Sequence, residues 1–403
     1  MQPGIPRWLL LVAAMAAVGP VSIDMYLPGF PAIEREFGVR GVETTMASYL
    51  VGLAVSQLFY GPISDRFGRK PPLYFGFALY ALRAAGCALA TSMPGLTLMR
   101  VVQALGGSAG FVIGRAIVRD RCEPHEAARA FTTLMMIVSL GPVIAPAVGG
   151  VIVTLFGWRA IFIFQALLGV LLFIAMHRIM SESHDVRHAA AVSFGDVLRN
   201  YARLGRDRRF IAYSLLLGFS MASMFCYVTG AARVITQNYG LSPQQLGGLI
   251  GLNGLAFMSA SILNMRALGT LAPGQVLARY IWMSPLLGAA LLILSTLREL
   301  PLWGVVSLQL MFFLGVGRVN PNVSALVLAP HGRNAGTASA LMGAIQSSLT
   351  TCAGVAVAIF NDGTVSTLAT IMTTCAALAL LCFLWIRRVD PVNSTAASKG
   401  DVK

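Results

Sequence analysis

Long apolar runs constrain this chain more than any other feature of its sequence. A helix of about 20 apolar residues is long enough to cross the hydrocarbon core of a bilayer, which is about 30 Å thick. Twelve such runs follow one another along the 403 residues. Only 11% of the residues are charged, against about 25% in soluble proteins. The sequence therefore predicts an all-α membrane protein with twelve transmembrane helices.

The predicted spans fall into two groups of six. They cover residues 8–28, 44–62, 72–91, 95–117, 131–155 and 158–180, and then 210–236, 245–265, 278–297, 302–328, 335–360 and 366–386. The only long polar connection separates the two groups. We therefore expect an N-terminal six-helix bundle over residues 1–180, a cytoplasmic linker over 181–209, a C-terminal six-helix bundle over 210–390 and a cytoplasmic tail over 391–403.

The basic residues are distributed unevenly between the two sides of the predicted membrane. If the N-terminus is cytoplasmic, the loops and termini on that side hold 22 Lys and Arg residues and the opposite side holds four. This is the asymmetry of the positive-inside rule. The net charge of +14 therefore orients the protein with both termini in the cytoplasm and favours contact with anionic lipid. It requires no nucleic acid as a partner.

The sequence carries no recognisable catalytic or cofactor site. The six cysteines form no C-x-x-C pair, and no group of His and Cys residues has the spacing of metal ligands. None of the three lysines follows the glycine of a phosphate-binding loop. We therefore expect no enzyme, no metal and no cofactor.

Asp24 is the most informative residue of the first run, in the stretch V-S-I-D-M-Y-L-P-G. An ionised carboxylate inside a bilayer costs a few kcal/mol or more, so it is expected to face a cavity, to take up a proton or to pair with a cation. Of the 16 acidic residues, we place only Asp24 inside a span. Asp24 is thus the candidate proton carrier, and the alternative is that it caps the turn at Pro28 at the membrane edge.

Four arginines also lie within predicted spans. Arg83 and Arg233 can extend to the membrane surface. Arg318 stands between G-V-G and N-P-N near the middle of the tenth run, where a broken helix would expose carbonyl groups to a cavity. If Arg100 and Arg318 share a cavity with Asp24, the site is positive and disfavours lipophilic cations. The alternative is that Arg318 packs between helices.

One loop carries a specific motif, G-P-I-S-D-R-F-G-R-K-P at residues 61–71. It resembles the motif between the second and third spans of the major facilitator superfamily. The positions that carry the resemblance, together with the acid expected to meet them, are Gly61, Asp65, Arg66, Gly68, Arg69 and Asp120. The resemblance implies that these residues form a charged latch at the cytoplasmic ends of spans two and four, which stabilises the outward-facing state.

Two further runs resemble the same superfamily. Span four contains Arg100 and Gln103 in the superfamily's pattern of a buried Arg and Gln. Span five is similar to the helix-bending motif of its exporters, at Gly141, Pro142, Pro146, Gly149 and Gly150. Glycines allow helices to approach closely, and prolines interrupt the backbone hydrogen bonds where a helix bends.

The first run, together with G-L-N-G in span eight and A-G-T-A-S-A-L-M-G in span eleven, is similar to the bicyclomycin-resistance (Bcr/CflA) subgroup of drug:proton antiporters. This resemblance implies a monomeric exporter of small drug-like molecules in the bacterial inner membrane, driven by the proton gradient. The expected substrate cavity comprises Asp24, Tyr26, Arg100, Gln103, Asn253, Arg318 and Asn320.

Other functions stay open from the sequence alone. The same fold serves metabolite exporters, siderophore exporters and uptake permeases, and a non-transporting membrane sensor or enzyme is a further alternative. Met221 and Tyr227 in the seventh run suit a flexible apolar pocket, but their pattern does not distinguish binding from packing.

Overall fold

The structure is a computed structural model that describes residues 6–122, 130, 133–134, 137–138, 140–183, 194–297, 300–360 and 362–389. The side chain of Asp65 lies outside the described set. Every regular element in these ranges is helical. The predicted all-α class is confirmed.

The α-helices are, in chain order, α1 (Arg7–Asp24), α2 (Phe30–Phe37), α3 (Glu43–Phe67), α4 (Lys70–Ala88), α5 (Met93–Arg121), α6 (Gly141–Phe156), α7 (Arg159–Ile179), α8 (Phe194–Arg206), α9 (Arg208–Tyr239), α10 (Pro243–Ala267), α11 (Pro273–Tyr280), α12 (Met283–Leu297), α13 (Leu302–Leu328), α14 (Ala335–Phe360) and α15 (Val365–Val389). Short 3₁₀ segments at Leu27–Gly29 and Ala329–Asn334 precede α2 and α14.

Ten helical segments in the described part of the chain are long and apolar enough to cross a membrane. The helix α6 is apolar but shorter. The helix α4 covers the third predicted span, but its prolines, its tyrosines and Arg83 lower its mean hydropathy. Large apolar side chains such as Phe75, Leu82 and Trp303 are exposed on the outside, as expected for surfaces that contact lipid. The protein is a multi-pass membrane protein.

The first span does not end near residue 28 as the sequence predicted. The chain passes from α1 through the 3₁₀ turn into α2, and together they form one span, Arg7–Phe37. Proline lacks the N–H group but is tolerated in the first turn of a helix, so Pro28 and Pro31 begin new helical segments instead of ending the span. Gly38, with φ of 66°, ends α2.

Because the helices extend beyond the predicted spans, they contain more acidic residues than predicted. Glu34 and Glu36 lie in α2, and Glu43 lies in the first turn of α3 with a fully buried side chain. The prediction that Asp24 is the only acid within a span is therefore wrong. A carboxylate in the first turn interacts favourably with the helix dipole, which explains why α3 begins at Glu43.

The chain forms two compact units. The first contains Met1–Val197 and Pro243–Gly251, and the second contains Leu198–Ser242 and Leu252–Lys403. In the first unit α5 packs against α1, α3 and α4, and in the second α9 packs against α13, α14 and α15. The helices α4 and α5 can approach closely because Gly106 has no Cβ atom. A Cβ atom at this position would overlap the carbonyl oxygen of Gly76.

Candidate functional site

Two faces of the end of α1 carry different chemistry. A helix turns by about 100° per residue, so Ser22 and Tyr26 share a face while Asp24 lies about 160–200° away from both. The backbone stays helical through Met25 and Tyr26. The hydroxyl oxygens of Ser22 and Tyr80 of α4 lie 2.6 Å apart and share a hydrogen bond. The Ser22 face of α1 thus packs against α4.

Arg100 of α5 is fully buried and holds this face of α1. Its Nη2 donates a hydrogen bond of 3.1 Å to the carbonyl oxygen of Ser22. Its Nη1 donates to Oε1 of Gln103 at 2.8 Å. Gln103 in turn donates from Nε2 to Oε1 of Gln165 in α7 at 2.8 Å. The predicted pair Arg100 and Gln103 therefore belongs to a network that joins α1, α5 and α7.

Three aromatic rings surround the guanidinium group of Arg100. Its central carbon lies 4.1 Å from the ring centroid of Tyr49, 4.8 Å from that of Tyr26 and 5.7 Å from that of Phe162. The negative face of an aromatic ring attracts a cation, most strongly when both are removed from water. The rings and the Ser22 carbonyl thus stabilise the buried positive charge of Arg100.

Asp24 belongs to neither this network nor the ring cage. Its side chain is 8% exposed, and among the described residues its carboxylate forms no hydrogen bond or ion pair. The structure therefore brings Tyr26, Arg100 and Gln103 together and leaves Asp24 on the other face of α1. Glu43 is a buried acid that the sequence analysis missed, and it interacts electrostatically with Tyr26.

The expected exporter motif lies against the end of α1. A Cβ atom on Gly149 of α6 would overlap the carbonyl oxygen of Met25, and one on Gly141 would lie 3.4 Å from Cβ of Pro20. Pro142 lies in the first turn of α6 and Pro146 in its interior, while Gly150 packs against Pro243 in the same unit. The small residues of this motif allow α6 to approach the backbone next to Asp24.

The motif at residues 61–71 contributes to an ion pair. Nε of Arg69 lies 2.7 Å from Oδ2 of Asp120, and their side chains are 1% and 13% exposed. Nη1 of Arg69 also donates to Oγ of Ser64 at 2.9 Å. Gly68, with φ of 87°, ends α3. The structure thus brings Arg69 and Asp120 together, whereas the exposed Arg66 packs over the ring of Phe67 and Gly61 lies within α3.

Glu182 adds a contact that the sequence analysis did not anticipate. Its Oε1 accepts the backbone N–H of Arg69 at 2.9 Å, and its Oε2 accepts that of Lys70 at 3.1 Å. These N–H groups stand at the start of α4, where a helix favours negative charge. The only sequence feature that could have indicated this contact is the position of Glu182 shortly after the sixth predicted span.

The polar residues of the second unit separate into two faces. Asn320 donates from Nδ2 to Sδ of Met221 in α9 at 2.8 Å. Arg318 lies two residues earlier, which is about 200° around α13, and its guanidinium carbon is 4.4 Å from the ring centroid of Tyr280 in α11. Asn253 is buried, and its side chain contacts the Tyr227 hydroxyl. Arg318 thus packs between helices of its own unit, away from Asn320.

The described helices combine apolar spans, a buried polar network around Arg100 and a buried ion pair between Arg69 and Asp120. The family model of the Major Facilitator Superfamily matches residues 12–355. The chain therefore belongs to the Major Facilitator Superfamily and is a transporter, not an enzyme.

Its relatives confirm the resemblance to the bicyclomycin-resistance subgroup. The chain is 33% identical to the uncharacterized MFS-type transporter YdgK of Bacillus subtilis, over 94% of each chain. It is 29% identical to the bicyclomycin resistance protein homolog of Haemophilus influenzae, over 94% of this chain and 96% of that one. It is 27% identical to multidrug resistance protein D of Escherichia coli, over 93% and 94%.

Solved structures show the same fold at low identity. The peptide transporter POT in complex with sulfate superposes with a TM-score of 0.76 at 16% identity, covering 98% of this chain and 96% of that one. A bacterial homolog of the human lysosomal transporter Spinster, in an inward-facing and occupied conformation, gives 0.71 at 14% identity, covering 96% and 97%.

Proposed function

We propose that this protein is a proton-coupled exporter of small drug-like molecules in the bacterial inner membrane. Relatives named for bicyclomycin and multidrug resistance align over nearly the whole chain, and the glycine and proline motif of α6 suits an exporter. The protein works as a monomer without a cofactor and takes its energy from the proton gradient.

The proposed topology has twelve spans and a cytoplasmic location for both termini. The helices α4 and α6 supply two spans beyond the ten that length and hydropathy identify. The charge asymmetry of 22 against four basic residues sets the orientation. The linker over residues 181–209 then lies in the cytoplasm.

The single observation that carries the proton-coupling proposal is the position of Asp24. Its carboxylate lies at the point where α1 gives way to a 3₁₀ turn, it is 8% exposed, and no described residue neutralises it. Ionisation of such a carboxylate is costly within a membrane, whereas its protonated form is neutral. Asp24 therefore changes charge as protons reach it from either side, and transport couples to that change.

Arg100 serves as a positioning residue in this proposal. It binds the carbonyl oxygen of Ser22 and stacks on Tyr26. Arg100 thus fixes the residues two positions before and after Asp24, which lie on the opposite face of α1. Its own charge is matched by rings and hydrogen-bond acceptors. Arg100 thus orients the end of α1 and leaves the Asp24 carboxylate available to a proton or a substrate.

The latch of Asp65, Arg69 and Asp120 is proposed to hold the cytoplasmic ends of α3 and α5 together. The buried ion pair between Arg69 and Asp120 supports this role. Removing one partner of a buried pair leaves an uncompensated charge and costs about 3–5 kcal/mol. The latch therefore favours one transport state over the other, and the superfamily resemblance implies that this state is the outward-facing one.

A growth-inhibition panel tests the proposed function. Cells that lack their own exporters express either wild type or Asp24→Asn at equal membrane abundance, and both are exposed to structurally diverse antibiotics. Resistance to several compounds that disappears with Asp24→Asn supports proton-driven export. Greater sensitivity of the wild-type cells would instead indicate an uptake permease, and no change with any compound would favour a metabolite exporter.

A further inference from the structure

Gln309 of α13 is a buried amide for which the proposed mechanism has no use. Its side chain is fully buried, and neither Nε2 nor Oε1 has a hydrogen-bond partner among the described residues. Burying an amide without a partner is costly, and the interior of a membrane offers no bulk water as a substitute. A buried amide without a hydrogen-bond partner is therefore explained either by a ligand that binds it or by a bound water.

Gln309 shares one face of α13 with a second incompletely satisfied amide. Phe313 and Asn320 lie about 40° and 20° around the helix from Gln309, and about 16 Å of helix separates Gln309 from Asn320. Asn320 is also buried, and its Oδ1 lacks a partner among the described residues. One strip of α13 therefore presents an amide at each end with an aromatic ring between them.

The helix α9 faces this strip and contributes apolar groups. The ring of Tyr227 lies 5.9 Å from that of Phe313 at an interplanar angle of 79°, an edge-to-face contact. Sδ of Met221 contacts Asn320. An aromatic pair and a flexible thioether thus lie between the two amides, a combination that suits a flat apolar group of variable shape.

The face of α13 that forms the strip carries no charged side chain. Arg318 is the only charged residue of α13, and it lies on the opposite face against Tyr280. The segment of α9 from Tyr213 to Ala232 contains no charged residue, and Arg233, which follows it, lies about 120° around the helix from Tyr227. A neutral amide both donates and accepts hydrogen bonds, whereas a quaternary cation does neither. The strip therefore matches a neutral group that can donate and accept at once.

We propose that the facing surfaces of α9 and α13 form a substrate subsite for an uncharged hydrogen-bonding group carried beside an apolar ring. Gln309 and Asn320 bind the amide, hydroxyl or carbonyl groups of the substrate, and Tyr227 and Phe313 contact its ring. This inference rests on the proposed function as an exporter and names its substrate class. The subsite belongs to the second unit alone.

Gln309→Met tests the subsite, because methionine keeps the length of the side chain and removes its amide. The purified full-length protein is titrated with two probes: chloramphenicol, which is neutral and carries an amide and two hydroxyls, and tetraphenylphosphonium, which has four rings and no hydrogen-bonding group. We expect chloramphenicol to bind the variant about tenfold more weakly, the effect of about one lost hydrogen bond. Binding of tetraphenylphosphonium should change less than about twofold.

Two controls keep the test decisive. Gln237→Met places the same substitution at an exposed position near the end of α9 and should leave both affinities unchanged. Asn320→Leu removes the second amide and should repeat the selective loss if Gln309→Met fails to fold. Thermal unfolding of Gln309→Met should be unchanged or shifted upward, because the variant removes an unsatisfied buried amide.

Failure of the subsite and failure of the proposed function give different results. Equal chloramphenicol affinity in wild type and Gln309→Met, or no chloramphenicol binding by wild type, would overturn the subsite and would indicate a buried water or a packing role at Gln309. Selective loss of binding without any export by wild type in vesicles would uphold the subsite and refute the exporter.

Discussion

The Nη2 atom of Arg100 donates a hydrogen bond of 3.1 Å to the carbonyl oxygen of Ser22, two residues before Asp24. This contact fixes one face of α1 while the carboxylate lies on the other. The cation and the acid that the sequence placed in one cavity therefore have separate surroundings in the same unit. We infer that Arg100 acts on transport through the position of α1.

Arg100→Lys should weaken the first unit without changing the overall charge. Lysine lacks the planar group that stacks on Tyr49 and Tyr26 and lacks the two separate nitrogen donors that bind Gln103 and Ser22. We expect a decrease of about 2 kcal/mol in the free energy of unfolding, from the lost ring contacts and one hydrogen bond. Chemical denaturation in detergent measures it. Arg83→Lys is the matched control, since the contact of Arg83 is a weak one to Sδ of Met99 at 3.6 Å; an equal loss in both variants would refute the role of the cage.

Glu182→Gln should loosen the start of α4 by a modest amount. The amide loses the charge that interacts with the helix N-terminus, worth about 0.5–1 kcal/mol, and retains only one acceptor oxygen for the N–H groups of Arg69 and Lys70. We expect faster hydrogen exchange at these two backbone amides, measured by mass spectrometry, with the ion pair of Arg69 and Asp120 retained. Glu182→Asp, which keeps the charge, should show a smaller effect. Unchanged exchange in Glu182→Gln would show that the contact does not stabilise the helix start.

Arg318→Ala should lower protein abundance and leave charge selectivity unchanged. The guanidinium group packs on Tyr280, so its removal leaves a gap between α11 and α13. Export of cationic, neutral and anionic probes should fall by the same factor after normalisation to surface abundance, and Arg318→Lys should restore part of it. If cationic probes alone gain access in Arg318→Ala, the hypothesis of a positive cavity that includes Arg318 is correct.

Cysteine accessibility tests the topology. Single cysteines at residues 195 and 400 should both react with a membrane-impermeant thiol reagent only in inverted vesicles, because the charge asymmetry places the linker and the C-terminus in the cytoplasm. The native cysteines are replaced beforehand. Labelling of the two positions from opposite sides would contradict an even number of spans between them.

The spans could be predicted from the sequence wherever a long apolar run ends at clear helix boundaries. The predicted ranges 302–328 and 335–360 coincide with α13 and α14. The first span was cut short because Pro28 and Pro31 look like helix breakers, although they occupy first turns of new helical segments. The second predicted span began at residue 44, so it excluded Glu43 by one residue.

The site was predictable where it depends on local spacing. Arg100 and Gln103 stand three residues apart on one helix, which puts them on one face, and their contact follows. The contacts of Arg100 with Ser22, Tyr49 and Phe162 join residues far apart in the chain, so only the tertiary fold reveals them. The separation of Arg318 from Asn320 needed only the helical period, because two residues correspond to about 200°.

Proton flux through reconstituted Asp24→Asn tests the central claim most directly. Wild-type protein in sealed vesicles should change the internal pH when substrate is added. Asp24→Asn should bind the substrate and produce no pH change, because the amide keeps the shape of the side chain and carries no exchangeable acid. Glu43→Gln, at the second buried acid among the described residues, should retain the pH change. Substrate-dependent proton flux at the wild-type rate in Asp24→Asn, or its loss in Glu43→Gln alone, would contradict the assignment of Asp24 as the proton carrier.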